Sequence, residues 1–298
     1  MKTNRTMLGI ALMISAMLIF PFLDVCAKFL GEWGIPVIEI VWARLFFGML
    51  ITAPLLVTQE GVQSLVPKET RFNALRAFFL VASTMMFFGA LRYQGVAETL
   101  AIYFVQPLFI TGLAPILLKE KVGINRWTAV AIGFVGVLII IRPGYLQLNP
   151  GVFLALGAGF GSAITMLLTR KLAGNRSALA NTYYTNFFGS IFATVLLIPF
   201  WQTPNFNIFL IMVLLATIGT FANYLTILAM QHAEASLLAP FGYTEMITAV
   251  LAGWYFFSNF PDGWTFVGVA ILIASAIYIS YRERLKNLKV DIVDPGRL

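Results

Sequence analysis

The sequence predicts an all-α polytopic membrane protein: ten transmembrane helices forming two inverted five-helix repeats, with both termini cytoplasmic. Three observations predict it. Of 298 residues, 59% are hydrophobic and 11% charged, which leaves too little polar surface for a water-soluble domain. Apolar segments near 20 residues in length recur along the chain, each able to cross a hydrocarbon layer of about 30 Å as a helix. The stretch from Leu91 to Ile141, LRYQGVAETLAIYFVQPLFITGLAPILLKEKVGINRWTAVAIGFVGVLIII, also returns in altered form from Leu228 to Ile279. In both copies an apolar segment, broken by Pro107 and Pro115 in the first, leads through a short hinge to a second apolar segment. Glu120 of the first hinge stands opposite Asn259, 139 residues on. Self-similarity at so long a period points to a duplicated half rather than a solenoid.

The spans must be helices, because lipid offers no partner for open backbone groups, and the alternating pattern of a membrane barrel is absent. In order they cover about 8–30, 35–57, 72–91, 97–118, 125–142, 150–170, 179–200, 206–228, 235–257 and 263–281. The first resembles a signal peptide in having Lys2 and Arg5 ahead of an apolar run. It continues apolar past Phe20 with no small-x-small site, so it reads as a retained span. Leu23-Asp24-Val25-Cys26 departs from a lipoprotein cleavage site at Asp24. A single Cys26 excludes an intramolecular disulfide. The linkers are short and carry Gly, Pro and charge, as in Gly31-Glu32-Trp33-Gly34, Arg142-Pro143-Gly144 and Phe260-Pro261-Asp262-Gly263. None is long enough for an extra domain.

Orientation follows from the basic residues. A cytoplasmic N-terminus puts sixteen of the twenty Lys and Arg inside, Arg76 among them, and leaves Lys28, Arg44, Arg92 and Arg142 at outer ends or within helices. A basic rim facing anionic lipid also accounts for the net charge of +7 without nucleic acid. Gly9–Leu30 aligns with Gly151–Leu172, and Phe46-Phe47-Gly48 with Phe187-Phe188-Gly189. The unit is therefore five helices, over 1–145 and 146–285, with 286–298 as a cytoplasmic tail. An odd number of spans turns the second copy over relative to the first, which places a binding site near the bilayer midplane between the halves.

These features resemble the drug/metabolite transporter superfamily, and within it the EamA-type members. The motif blocks that carry the resemblance are Gly95-Val96-Ala97-Glu98, Gln106-Pro107-Leu108-Phe109 and Leu118-Lys119-Glu120-Lys121-Val122 in the first half. In the second they are Ala235-Ser236-Leu237-Leu238-Ala239-Pro240-Phe241 and Tyr243-Thr244-Glu245. The likeness runs from Leu8 to Tyr281 and implies the fold and a transport function. It does not single out a cargo, because relatives on this scaffold move amino acids, nucleobases, sugars, vitamins, amines and drugs. The hinge acid Glu120 becomes Asn259 in the second copy, a departure from the pattern.

Ionisable groups inside a span are rare because burying them is costly, so each is a functional candidate. Asp24 and Lys28 stand one turn apart on the first span and can pair on one face, with Lys28 reaching the outer surface. Arg44 lies roughly 12 Å into the second span and Asp24 roughly 9 Å into the first, at 1.5 Å per residue. A guanidinium there needs a carboxylate from Asp24, Glu39 or a substrate. Glu98 opens the fourth span at the outer interface, followed by Tyr103 and Gln106, with a backbone carbonyl freed by Pro107. Glu245 is the strongest single candidate: it falls near the bilayer middle beside Tyr243, where a desolvated carboxyl is suited to exchanging protons. Asn181, Tyr183, Tyr184 and Asn186 crowd the seventh span, and Thr220, Asn223 and Tyr224 follow on the eighth. Such side chains bridge helices as readily as they line a cavity. Trp42 and Phe160 offer aromatic faces, and His232 falls at a cytoplasmic turn.

Gly157-Ala158-Gly159-Phe160-Gly161 has neither a preceding strand nor a following Lys-Ser or Lys-Thr, so it reads as a helix-packing face rather than a phosphate loop. No metal or cofactor site is expected. The expected partners are a small-molecule substrate, membrane lipid and protons as a coupling ion, with no nucleic acid, in a monomer or homodimer of the inner membrane. The function expected is secondary transport of an amino acid, amine or vitamin-like solute by alternating access, proton-coupled or by exchange. A lipid or lipid-precursor flippase and a passive facilitator are the alternatives. One His, one Cys and no His-Glu-x-x-His motif argue against an intramembrane enzyme.

Overall fold

The computed structural model describes residues 2–67, 69–118, 124–141, 149–172, 176–232, 238, 241–242, 244–275 and 277–278. All regular structure among them is helical. In chain order the helices are α1 (Lys2–Glu32), α2 (Val37–Glu60), α3 (Thr70–Ala90), α4 (Val96–Tyr103), α5 (Gln106–Leu118), α6 (Ile124–Ile141), α7 (Pro150–Leu172), α8 (Ala178–Leu197), α9 (Phe206–His232) and α10 (Thr244–Phe257). A shorter apolar helix, α11 (Gly263–Ser275), follows. Within α1, α2, α3, α7, α8 and α9 lie stretches long and apolar enough to cross a membrane. The protein is therefore a multi-pass membrane protein. The Glu120 hinge, Arg142 and Tyr243 lie outside the described residues.

Local chemistry sets the helix ends. α2 stops at Gly61, whose φ of 81° is the left-handed conformation that glycine adopts without strain, and whose N–H bonds the Val57 carbonyl. α8 begins behind Ser177, whose hydroxyl accepts the Ala180 N–H at 3.0 Å. Pro21 and Pro54 sit inside α1 and α2, as membrane helices allow where neighbours cover the freed carbonyl.

The fourth predicted span divides, though not at Pro107 and Pro115 as the sequence suggested. The helix ends at Tyr103, turns through Phe104 and Val105, and restarts at Gln106. Pro107 thereby falls in the first turn of α5, where its missing N–H costs nothing, and α5 continues through Pro115. Residue 107 is proline and has no N–H to give the Tyr103 carbonyl four residues before it. Gly159 of α7 comes close at this point: a Cβ there would lie 3.0 Å from that carbonyl oxygen and 2.8 Å from Val105 Cγ1.

α1 lies against α9 and α10, α2 against α8 and α9, α3 against α7 and α8, and α7 against α4 and α5. Exchanging α1 with α7, α2 with α8, α3 with α9 and α4–α5 with α10 maps this set of contacts onto itself. Small residues let the backbones approach. Ser83 of α3 donates to the Ala158 carbonyl of α7 at 2.7 Å, and a Cβ on Gly161 would lie 3.1 Å from Ser83 Cβ. α6 meets α11 at Gly136 and Gly268, where a Cβ on Gly268 would lie 2.7 Å from the Gly136 carbonyl oxygen. The main core joins α1–α4 to α7–α10 and contains the buried Cys26.

Polar ties join α2 and α8 at both ends. At the start of α2, fully buried Glu39 accepts the Gln202 N–H at 3.2 Å, and Trp42 donates to Thr194 Oγ1 at 2.9 Å. At the start of α8, Tyr184 donates to the Ser64 carbonyl at 2.6 Å. Arg76 corrects the reading that placed it on a basic rim. It is 1% exposed, and donates to the Asn181 carbonyl at 2.9 Å and Asn73 Oδ1 at 3.0 Å. Amide oxygens hold this guanidinium.

Candidate functional site

Seven helices converge on one polar cluster. α1 contributes Asp24, 4% exposed. α2 contributes Arg44, which donates to Thr84 Oγ1 of α3 at 3.3 Å. Tyr103 is the last residue of α4 and Gln106 the first of α5, so the break presents both side chains at one level. Tyr103 donates from its hydroxyl to Ser162 Oγ of α7 at 2.6 Å, and Gln106 from Nε2 to the same oxygen at 2.8 Å. Glu245 enters from the first turn of α10.

The charges of Asp24 and Arg44 act on each other, Asp24 acts on Glu245, and all three act on the Tyr103 hydroxyl. Arg44 forms no ion pair within 4.0 Å among the described residues. Arg44, Tyr103, Gln106, Ser162 and Glu245 are half-buried. Gly219 of α9 makes room for the guanidinium: a Cβ there would lie 3.3 Å from Arg44 Nε and collide with Leu23. Phe87 stands edge-on to Tyr103 at 5.2 Å beside the cluster, whereas Phe109 pairs edge-on at 5.3 Å with Phe160, which is exposed. Two carboxyls, one guanidinium, a phenol and an amide can together bind a polar organic solute and offer a carboxyl for proton exchange.

The remaining sequence candidates sit elsewhere. The expected Asp24–Lys28 pair does not form. Asp24 faces the cluster, whereas Lys28 donates to the Gln94 carbonyl at 3.4 Å and lies 4.8 Å from the Phe257 ring centroid. Glu98 is half-buried over Gly95 with Oε2 lacking a hydrogen-bond partner, so it is not the solvated interface residue expected. Tyr183 stacks on Phe187 at 5.8 Å within a buried cluster that includes Leu56 and Tyr184. Asn186 is buried with Nδ2 unpartnered against Gly48, and Asn223 is half-buried on α9. Trp42 packs on Phe46 and Trp201. The sequence missed Ser162 and Thr84 as partners. Ser162 directly follows the Gly157–Gly161 packing face, and that adjacency is the one signal that marked it.

A multi-pass helical protein that gathers a cluster of charged and polar side chains between its helices has the form of a solute transporter. The chain belongs to the EamA-like transporter family, whose profile matches it twice, over residues 7–142 and 149–281. A "Riboflavin transporter" of Vibrio cholerae is 29% identical over 94% of this chain and 95% of its own length. An "S-adenosylmethionine uptake transporter" of Rickettsia prowazekii is 24% identical over 88% of each. A second "Riboflavin transporter", from Rhizobium johnstonii, is 25% identical over 97% of this chain and 96% of its own. One solved crystal structure superposes with a TM-score of 0.67 at 17% identity, over 93% of this chain and 98% of that one, and shows the shared fold. The protein is a small-metabolite transporter rather than an enzyme.

Proposed function

We propose that the protein is a secondary transporter of the inner membrane, with ten spans and both termini cytoplasmic, in which two inverted halves alternate access to the Asp24–Arg44–Tyr103–Glu245 cluster. The convergence of these four residues from α1, α2, α4 and α10 is the observation that carries the reading. The self-exchanging helix contacts and the double family match support the inverted halves. Glu245 serves as the coupling carboxyl, cycling a proton as the solute binds and leaves.

The cargo is a vitamin-class solute with a flat ring and polar edges, and riboflavin is the first candidate. Support comes from the names of two relatives and from the rings of Phe87 and Tyr103 beside the polar groups. Aromatic walls with a few fixed polar groups are the usual construction of a small-molecule site. The two carboxyls against one guanidinium favour a second reading, a cationic solute of the S-adenosylmethionine kind.

Purified protein in proteoliposomes tests both. Labelled riboflavin and S-adenosylmethionine are offered with and without an inward proton gradient, to wild type and Glu245→Gln. The expected result is uptake of one solute, accelerated by the gradient, with the acceleration gone in the variant. Melting temperature should also rise with the logarithm of the concentration of the transported solute alone. Uptake indifferent to gradients and counter-solute would make the protein a facilitator. Lipid scrambling without uptake of either solute would replace the reading with a flippase.

A further inference from the structure

A cavity lies one helical turn from the central cluster, at the end of the bundle where α1 gives way to α2, α3 to α4 and α10 to α11. Its volume is about 490 Å³, within the range of small-molecule sites. On three helices its lining is in register with the cluster. Lys28 follows Asp24 by four residues on α1, Ile40 precedes Arg44 by four on α2, and Phe88 follows Thr84 by four on α3. Four residues rise about 6 Å along a helix. The cavity therefore sits directly over the cluster, with Ile40 and Phe88, 1% and 3% exposed, closing the floor between them.

Two cations line this cavity against one carboxylate, Glu32. Each cation makes one hydrogen bond among the described residues. Lys28 spends one on the Gln94 carbonyl at 3.4 Å, and Arg92 spends one on the Ile35 carbonyl at 2.7 Å, out of three and five respectively. Glu32 and Glu98 both act on the charge of Lys28, yet neither comes within 4.0 Å of it among the described residues. The amides of Gln94 and Asn259 add donors, and Gln94 Nε2 has no partner among the described residues. Facing ammonium, guanidinium and amide donors suit an oxyanion, which accepts several charge-assisted bonds at once.

We propose that this cavity is a second binding site, outside the central cluster, that takes the carboxylate or phosphate group of a small anion through Lys28 and Arg92. The site stands apart from the cluster, so it survives even if the cluster's cargo proves different.

The test uses the purified full-length protein and three probes, sodium citrate, inorganic phosphate and, at matched ionic strength, sodium chloride. Phenylglyoxal modification of Arg92, followed by mass spectrometry on wild type, should slow at least fivefold with citrate or phosphate and not with chloride. Protection by citrate alone assigns the site to carboxylates, and by phosphate alone to phosphates. The midpoint of protection, measured by melting temperature in parallel, should rise at least tenfold in Lys28→Gln and stay within twofold of wild type in Asp24→Asn. Equal modification rates in all three salts overturn the proposal. So does loss of the citrate or phosphate effect in Asp24→Asn with its retention in Lys28→Gln, which would move the anion to Arg44. Because the modification is read on the unaltered chain, a poorly folding variant does not blunt the test.

Discussion

Ser162 accepts from Tyr103 and Gln106 at once, across the interruption that separates α4 from α5. Replacing it with Ala strands two donors beside the cluster, at about 1–3 kcal/mol for each group left without a partner. Ser162→Ala is therefore expected to weaken solute binding by roughly tenfold or more, measured as the uptake KM, with a retained elution profile as the control for folding. The acids and the guanidinium of this cluster were legible in the sequence because an ionisable group inside a span is rare and expensive. Ser162 and Thr84 were not. Hydroxyls in these helices commonly bond their own backbone one turn back, as Thr165, Thr169 and Thr217 do here, so a hydroxyl in an apolar run gives no sign of its partner. Asp24 and Lys28 show the opposite failure: their spacing allows a pair, and only the neighbouring helices decide that each turns to a different one.

Among the elements, glycine marks where helices touch through their backbones. At Gly268 a Cβ would meet the Gly136 carbonyl at 2.7 Å, an atom of the opposing backbone that has nowhere to go. At Gly112 of α5 a Cβ would meet nothing within 4 Å. Gly268→Ala should then cost about 1–3 kcal/mol through overpacking, while Gly112→Ala should be neutral or gain up to about 1 kcal/mol from helix propensity. Melting temperatures of the two variants check this; equal shifts would mean that α6 and α11 do not meet at these glycines. The Gly157–Gly161 face was readable from its spacing, since small residues four apart repeat on one side of a helix. The partner of Gly136 was not readable, because the sequence pairs glycines within a helix and says nothing about which glycine faces them from another. The interruption of the fourth span was announced by Pro107 but misplaced, since a proline spoils the ladder ahead of itself.

For the whole molecule, composition pointed to an all-helical membrane protein, and six helices among the described residues are long and apolar enough to cross a membrane; the helix contacts have an exchange symmetry that two related halves would give. The cytoplasmic or outer placement of each loop rests on charge bias. It is checked by cysteine labelling in a Cys26→Ala background, at the exposed positions Gln63, between α2 and α3, and Thr203, between α8 and α9. Inverted halves require Thr203→Cys to react with an impermeant maleimide in intact cells and Gln63→Cys only after permeabilisation. Labelling of both from the same side would sink the arrangement. Arg76 shows where charge counting stops: the count treats every basic residue near a span as a solvated anchor, whereas Asn73 and Asn181 supply enough amide oxygen to draw one inside.

Cys26 has a consequence of another kind. It is the chain's single cysteine, and its thiol is buried within α1, two residues from Asp24. A shielded thiol with no second one in the chain can neither close a disulfide nor readily meet peroxide or glutathione. A protein exposed to two compartments of unlike redox poise therefore keeps one covalent structure at both faces, and oxidative stress reaches it through its methionines before its sulfhydryl.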